Sequence, residues 1–194
     1  QLNLNTSFTG DDDLYVRLKT GNATDVFSNK TYGTYLSSSN GNDDTIEVDK
    51  IWYSFPVGEK NTVWIGPKIE NYYMHGATPS IYAPITKQFK LGGNGAAYGA
   101  STDTGIGWAY NADSGFSVSS NVVSKGGSKG FLTDEAKTNW STQVAYTTDQ
   151  YHVSLITALK YNGWTDSYYT TTLGKARPDG NSTNYGLRAY WRPD

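Results

Sequence analysis

Tyr151-His152-Val153-Ser154-Leu155-Ile156-Thr157-Ala158-Leu159-Lys160-Tyr161 decides the fold class. Side chains of a strand point alternately to its two faces, so odd and even positions of this run separate onto two surfaces. Tyr151, Val153, Leu155, Thr157, Leu159 and Tyr161 share one surface. His152, Ser154, Ile156, Ala158 and Lys160 share the other. The first surface is apolar and bracketed by two tyrosines; the second is mostly small, polar or basic. Helical spacing would mix the two sets, so period 2 predicts a strand with two unlike faces.

The same period recurs on both sides of this run. Leu2, Leu4, Thr6 and Phe8 alternate with polar residues, and Leu14, Val16 and Leu18 alternate with Tyr15, Arg17 and Lys19. Ile46 to Phe55 and Val63 to Ile65 form two more apolar runs. Ile106, Trp108 and Tyr110, then Phe116, Val118 and Val122, follow further along. Trp140, Thr142, Val144 and Tyr146 alternate with Asn139, Ser141, Gln143 and Ala145. Tyr185, Leu187, Ala189 and Trp191 alternate with Gly186, Arg188, Tyr190 and Arg192. The pattern predicts about nine strands, all antiparallel, and no helix of useful length.

Composition narrows what such a chain can do. Among 194 residues, 16 Lys plus Arg against 18 Asp plus Glu give a net charge of −2, too little positive charge to neutralise phosphates. The absence of cysteine removes disulfide scaffolds and thiol chemistry. With only His75 and His152, a histidine metal site is not expected, and no cofactor is implied. Hydrophobic residues at 37% are a thin supply for a large packed core, whereas 16 Tyr and 6 Trp exceed what a disordered chain carries. No apolar run of about 18 residues occurs, so a transmembrane helix is not expected.

The connections alternate in length. Short turns are predicted at Thr9–Asp13, Pro56–Asn61, Asn111–Gly115 and Thr147–Gln150. Long connections are predicted at roughly Gly21–Thr45, Glu70–Asn94, Ser124–Thr138 and Asn162–Thr183. A soluble meander has no reason to put every long loop at one end; an outer-membrane barrel has one. Aromatic residues bracket the apolar faces as Trp140 with Tyr146, Tyr151 with Tyr161, and Tyr185 with Trp191. Their spacing matches a tilted strand that crosses a bilayer in about 9–11 residues, with rings at both interfaces. Basic residues fall on the opposite face, as they must where a lipid-facing cation costs roughly 2–4 kcal/mol. Arg17, Lys19, Lys160, Arg188 and Arg192 are therefore the expected pore-lining cations, with Glu47 and Asp49 as partial counter-charges.

Specific strings add a resemblance. Asn5-Thr6-Ser7-Phe8-Thr9-Gly10 with Asp13-Leu14 and Arg17-Leu18, and Tyr53-Ser54-Phe55-Pro56-Val57-Gly58 with Val63-Trp64-Ile65-Gly66-Pro67, resemble strand–turn–strand signatures of one family. That family is the cyanobacterial outer-membrane porins, which carry a surface-layer-homology domain and a barrel of the carbohydrate-selective porin type. The glycine-spaced strand expected around Gly93-Asn94-Gly95-Ala96 and the Tyr190-Trp191-Arg192-Pro193 end are similar too. The resemblance implies an antiparallel up-and-down transmembrane β-barrel, in the outer membrane of a Gram-negative-type bacterium. It implies an outer-membrane lipid environment, a homotrimer, and contact with peptidoglycan only through a domain absent from this chain. A closed large porin needs about 16 strands, so residues 1–194 read as a single barrel region incomplete at both ends.

The function expected is a water-filled channel for passive diffusion of small hydrophilic solutes or inorganic ions, with no catalytic residue and no nucleic-acid partner. The stretch from Glu70 to Lys90 is expected to fold inward, as one loop does in porins generally, with Tyr72, Tyr73, Tyr82, Lys87 and Lys90 narrowing the pore. Asp11-Asp12-Asp13 lacks calcium-loop spacing and reads as a solvated turn. The main alternative is a soluble secreted carbohydrate-binding β-sandwich whose aromatics stack on sugars. A glycoside hydrolase is disfavoured, because no carboxylate pair stands in a recognisable setting.

Overall fold

Alternation along each run becomes a ladder of hydrogen bonds between neighbouring runs. The computed structural model describes residues 1–22, 41–78, 95–98, 102–126, 130–162, 164 and 181–193. Nine strands lie in them: β1 Leu2–Thr6, β2 Asp13–Asn22, β3 Gly41–Val57, β4 Asn61–Glu70, β5 Thr102–Asn111, β6 Phe116–Lys125, β7 Lys137–Thr147, β8 Tyr151–Tyr161 and β9 Ser182–Trp191. They form one antiparallel sheet in chain order, with β1 and β9 at its edges. The all-β, up-and-down expectation holds.

Register carries the two-faced pattern from strand to strand. Leu155 lies opposite Val144 on one side and Leu187 on the other, while Ser154 lies opposite Ala145 and Arg188. Residues directly opposite one another share a face, so the apolar positions merge into one surface and the polar positions into the other. The apolar surface is open: Leu155 is 51% and Leu187 76% exposed. Ser119, Asn139 and Ser141, on the polar surface, are fully buried. This inverts the arrangement of a soluble sandwich, which hides its apolar face under a second sheet. Among the described residues there is one sheet only.

All four short turns lie at one end. At the β5–β6 turn Gly115 has φ +90°, and a Cβ there would fall 2.1 Å from the carbonyl oxygen of Thr147. Only glycine allows that approach. The Gly115 carbonyl accepts from Thr147 N at 2.9 Å, which ties this turn to the end of β7.

Three local expectations are corrected. The β2–β3 arm is longer than alternation indicated, since β2 runs to Asn22 and β3 starts at Gly41. Its outer part is irregular: Asp43 has φ +54° and the pairing shifts around Gly21, which blurs period 2. Gly95 opens a four-residue helix, α1 (Gly95–Tyr98), and not a strand. Asp12 is not a solvated turn residue. Its carboxylate accepts from the hydroxyls of Ser7 (2.6 Å), Thr9 (2.6 Å) and Tyr53 (2.7 Å), and from the amides of Phe8 and Thr9. These donors, the Ser7 hydroxyl foremost, hold the carboxyl well below the usual carboxylate range.

Candidate channel lining and constriction

The connection from β4 to β5 begins at the long-loop end but does not stay there. Ile69 and Glu70 are buried, and the chain then forms a single 3-10 turn, Asn71–Met74. This turn lies against β4, β5 and β6. Asn71 Nδ2 donates to the carbonyl of Tyr98 at 2.6 Å and reaches Ser141 Oγ in the middle of β7 at 3.5 Å. Met74, the only methionine, is fully buried against β5. His75 Nδ1 lies 3.3 Å from Ser119 Oγ and 3.4 Å from Asn121 Nδ2. The amide of Ala77 donates to Gln143 Oε1 at 3.0 Å, and Gln143 Nε2 donates to the Ala77 carbonyl at 3.2 Å. Gly76, Ala77 and Thr78 reach the short-turn end beside Asn111 and Thr147. The segment of residues 71–78 thus runs down the polar face of the sheet.

Small residues on the wall make room for it. A Cβ at Gly107 would fall 2.7 Å from both Cβ and Sδ of Met74, and a Cβ at Gly105 would fall 2.8 Å from Ile69 Cγ2. Ile69, Met74 and Val123 join Trp52 and Trp164 in a small apolar cluster on an otherwise polar surface. The return arm, α1, contacts β8 and β9. Tyr98 is fully buried; its hydroxyl accepts from Gln143 Nε2 at 3.3 Å, and the Arg188 guanidinium stands 5.7 Å from its ring centroid. One glutamine therefore holds both arms of the connection through its terminal amide.

Beside this segment stands an aromatic ladder. Tyr15 stacks on Trp52 with ring centroids 4.1 Å apart, Trp52 meets Tyr73 at 4.8 Å, and Tyr73 stacks on Tyr72 at 4.5 Å. Burial pushes the Tyr72 hydroxyl above the usual tyrosine range. Charges flank the ladder. Arg17 pairs with Asp49, and Lys19 Nζ lies 3.1 Å from the same carboxylate. Lys50 pairs with Glu70, and Thr102 Oγ1 bonds both partners at 3.0 and 2.8 Å. Rings for stacking and paired charges for hydrogen bonding are side by side.

The expected pore-lining residues are distributed unevenly. Arg17, Lys19 and Asp49 meet in one ion cluster. Glu47 is exposed and lies opposite Lys19. Lys160 is buried on the polar face opposite Asn139, and Arg188 reaches Tyr98. Arg192 departs from expectation: β9 ends at Trp191, and Arg192 is an exposed residue whose amide donates to Gln150 O at 2.7 Å. Of the constriction candidates, Tyr72 and Tyr73 occupy the 3-10 turn, whereas Tyr82, Lys87 and Lys90 lie outside the described residues. Sequence reasoning missed Trp52, Lys50, Glu70 and Gln143. Past the register shift opposite Arg17 and Leu18, Lys50 and Trp52 alternate with the apolar Ile51, Tyr53 and Phe55, which is the signal that could have found them.

The aromatic brackets sort into two belts on the apolar face. Tyr146, Tyr151 and Trp191 lie toward the short turns, with Tyr151 opposite Trp191 and the Tyr146 and Tyr151 rings 6.0 Å apart. Trp140, Tyr161 and Tyr185 lie toward the long connections. All but the half-buried Tyr146 are exposed.

With this geometry in view, the model of the carbohydrate-selective porins, OprB family, matches residues 1–194. The chain belongs to that family. No curated protein and no solved structure matches it. These porins are outer-membrane channels of Gram-negative bacteria. The family accounts for the open apolar face, which is a lipid-facing wall, and for the polar face, which is the lumen side. Membership of a porin family sets the soluble carbohydrate-binding sandwich aside.

Proposed function

We propose that this porin forms the wall of a water-filled channel through which small hydrophilic solutes, neutral sugars foremost, diffuse passively. The observation that carries the reading is the inward segment lying along the polar face beside the Tyr15–Trp52–Tyr73–Tyr72 ladder. A sugar ring offers apolar faces to the rings and hydroxyls to the flanking ion pairs, so one transit path serves both. In this reading Arg17, Lys19, Lys160, Arg188, Glu47 and Asp49 set the lumen field, and Tyr72 and Tyr73 stand at the constriction. No residue has a catalytic role. In the same reading, which the signature strings support, the chain is one barrel region of a cyanobacterial porin that works as a homotrimer and meets peptidoglycan only through a separate domain.

The test is glucose block of single-channel current in planar bilayers. Wild-type current is expected to fall as glucose is added. Tyr15→Ala and Tyr73→Ala are each expected to raise the half-blocking concentration about fivefold, the loss of roughly 1 kcal/mol of ring contact. Channels that glucose never blocks would sink the sugar reading.

The lipid-facing assignment has its own expected result. Leu155→Arg puts a cation on the apolar face near the middle of β8, and the cost in a bilayer is about 2–4 kcal/mol. Denaturant titration in lipid vesicles measures it. Leu155→Met, which keeps the position apolar and of similar size, is expected to cost far less. Equal costs would mean that the faces are assigned the wrong way round.

A further inference from the structure

A cavity of about 290 Å³ lies at the short-turn end of the polar face, between Gly76–Thr78 of the inward segment and the wall. Among the described residues its lining holds no Asp, Glu, Lys or Arg. That chemistry offers no counter-charge to an ionic ligand. Two flat rings are in the lining: Tyr190 stacks on His152, centroids 5.0 Å apart and planes 10° from parallel. Both His152 nitrogens are engaged, Nδ1 with Thr147 Oγ1 at 2.8 Å and Nε2 with Ser154 Oγ at 2.8 Å. The imidazole edge is therefore committed, and a metal or a transferred proton would have to displace these bonds.

Polar groups line it too. Ser117 and Asn111 converge on the bare Cα of Gly76, where a Cβ would stand 3.1 Å from Ser117 Oγ and 3.2 Å from Asn111 Oδ1. A hydroxyl, a carboxamide and a ring pair lining one small cavity suit a ligand with apolar ring faces and a hydroxylated edge. The volume is at the low end for ligand sites, which admits one ring and not a chain of them.

We propose that this cavity is a second sugar subsite, for a single neutral pyranose, at the short-turn mouth of the channel. It is separate from the ladder on β2 and β3, because its residues come from β5 to β9 and from the far end of the inward segment. The inference rests on the sugar-channel reading above and locates an exit station for it.

The experiment uses the full chain in planar bilayers, with glucose added from the side of the short turns. Ser117→Ala removes the hydroxyl beside Gly76 without adding bulk, and Tyr190→Leu removes one ring. Each is expected to shorten the glucose block about fivefold. Tyr73→Ala, on the ladder, serves as the reference for sugar contact elsewhere. Wild-type block that both Ser117→Ala and Tyr190→Leu leave unchanged would overturn the subsite alone. Absence of any glucose block in the wild type would overturn the sugar reading and the subsite with it.

Discussion

Gly107→Val is expected to widen the channel. The new Cβ would sit 2.7 Å from Met74 Cβ and 3.0 Å from Asn121 Cβ, well inside contact distance. A flexible tip could swing aside, but Met74 Cβ is fixed to the main chain of the 3-10 turn. The inward segment must therefore move off the wall, at an overpacking cost of about 1–3 kcal/mol. The sheet itself has no reason to fail. Gly107 pairs with Trp64 and Asn121 through backbone bonds that the substitution leaves alone. Single-channel conductance is expected to rise, with more current noise as the segment loses its seat. Exchanging the bulk, with Gly107→Ala and Met74→Gly together, is expected to return conductance toward wild type. Conductance unchanged in a folded Gly107→Val protein would show that the segment does not limit the pore.

That glycine illustrates what the sequence did and did not disclose. Faces were legible because lipid and water impose opposite demands on neighbouring positions, and β7 and β8 obey them at almost every residue. The inward path of the β4–β5 connection could be expected only by resemblance, because its anchors look like ordinary wall residues. Gln143 is one polar residue among many in β7 until its amide is seen to bond both Ala77 and Tyr98. Val123 breaks the alternation of β6, since Val122 and Val123 are both apolar. The break has a cause: Val123 faces the lumen side and packs where Ile69 and Met74 dock. Asp12 departs from its sequence reading for a similar reason. Three consecutive aspartates suggest hydration, yet the middle one accepts from the hydroxyls of Ser7 and Thr9 just before it and of Tyr53, forty-one positions away. Long-range partners of that kind leave no periodic trace.

Glu70→Gln is expected to be among the most destabilising single changes in the chain, at about 3–5 kcal/mol. Lys50 is fully buried and Glu70 nearly so. The ammonium has the Glu70 carboxylate, Thr102 Oγ1 at 3.0 Å, and the Tyr73 ring with its centroid at 5.8 Å. Neutralising the acid takes the paired carboxylate from a buried cation, and the amide in its place returns little of the lost attraction. Lys50→Met creates the opposite orphan and is expected to cost a similar amount. The pair lies where β4 hands over to the inward segment, so either change also loosens the root of that segment. The double variant Lys50→Met with Glu70→Met separates the two effects. With no charge left to desolvate, it is expected to recover most of the lost stability, since apolar replacements of buried ion pairs are often neutral or better. Denaturant midpoints in lipid give the stabilities, and the pairwise cycle gives the coupling. Additive single costs, with no recovery in the double variant, would mean that water reaches the pair and screens it, and that the segment's root is held by Asn71 and Gln143 instead.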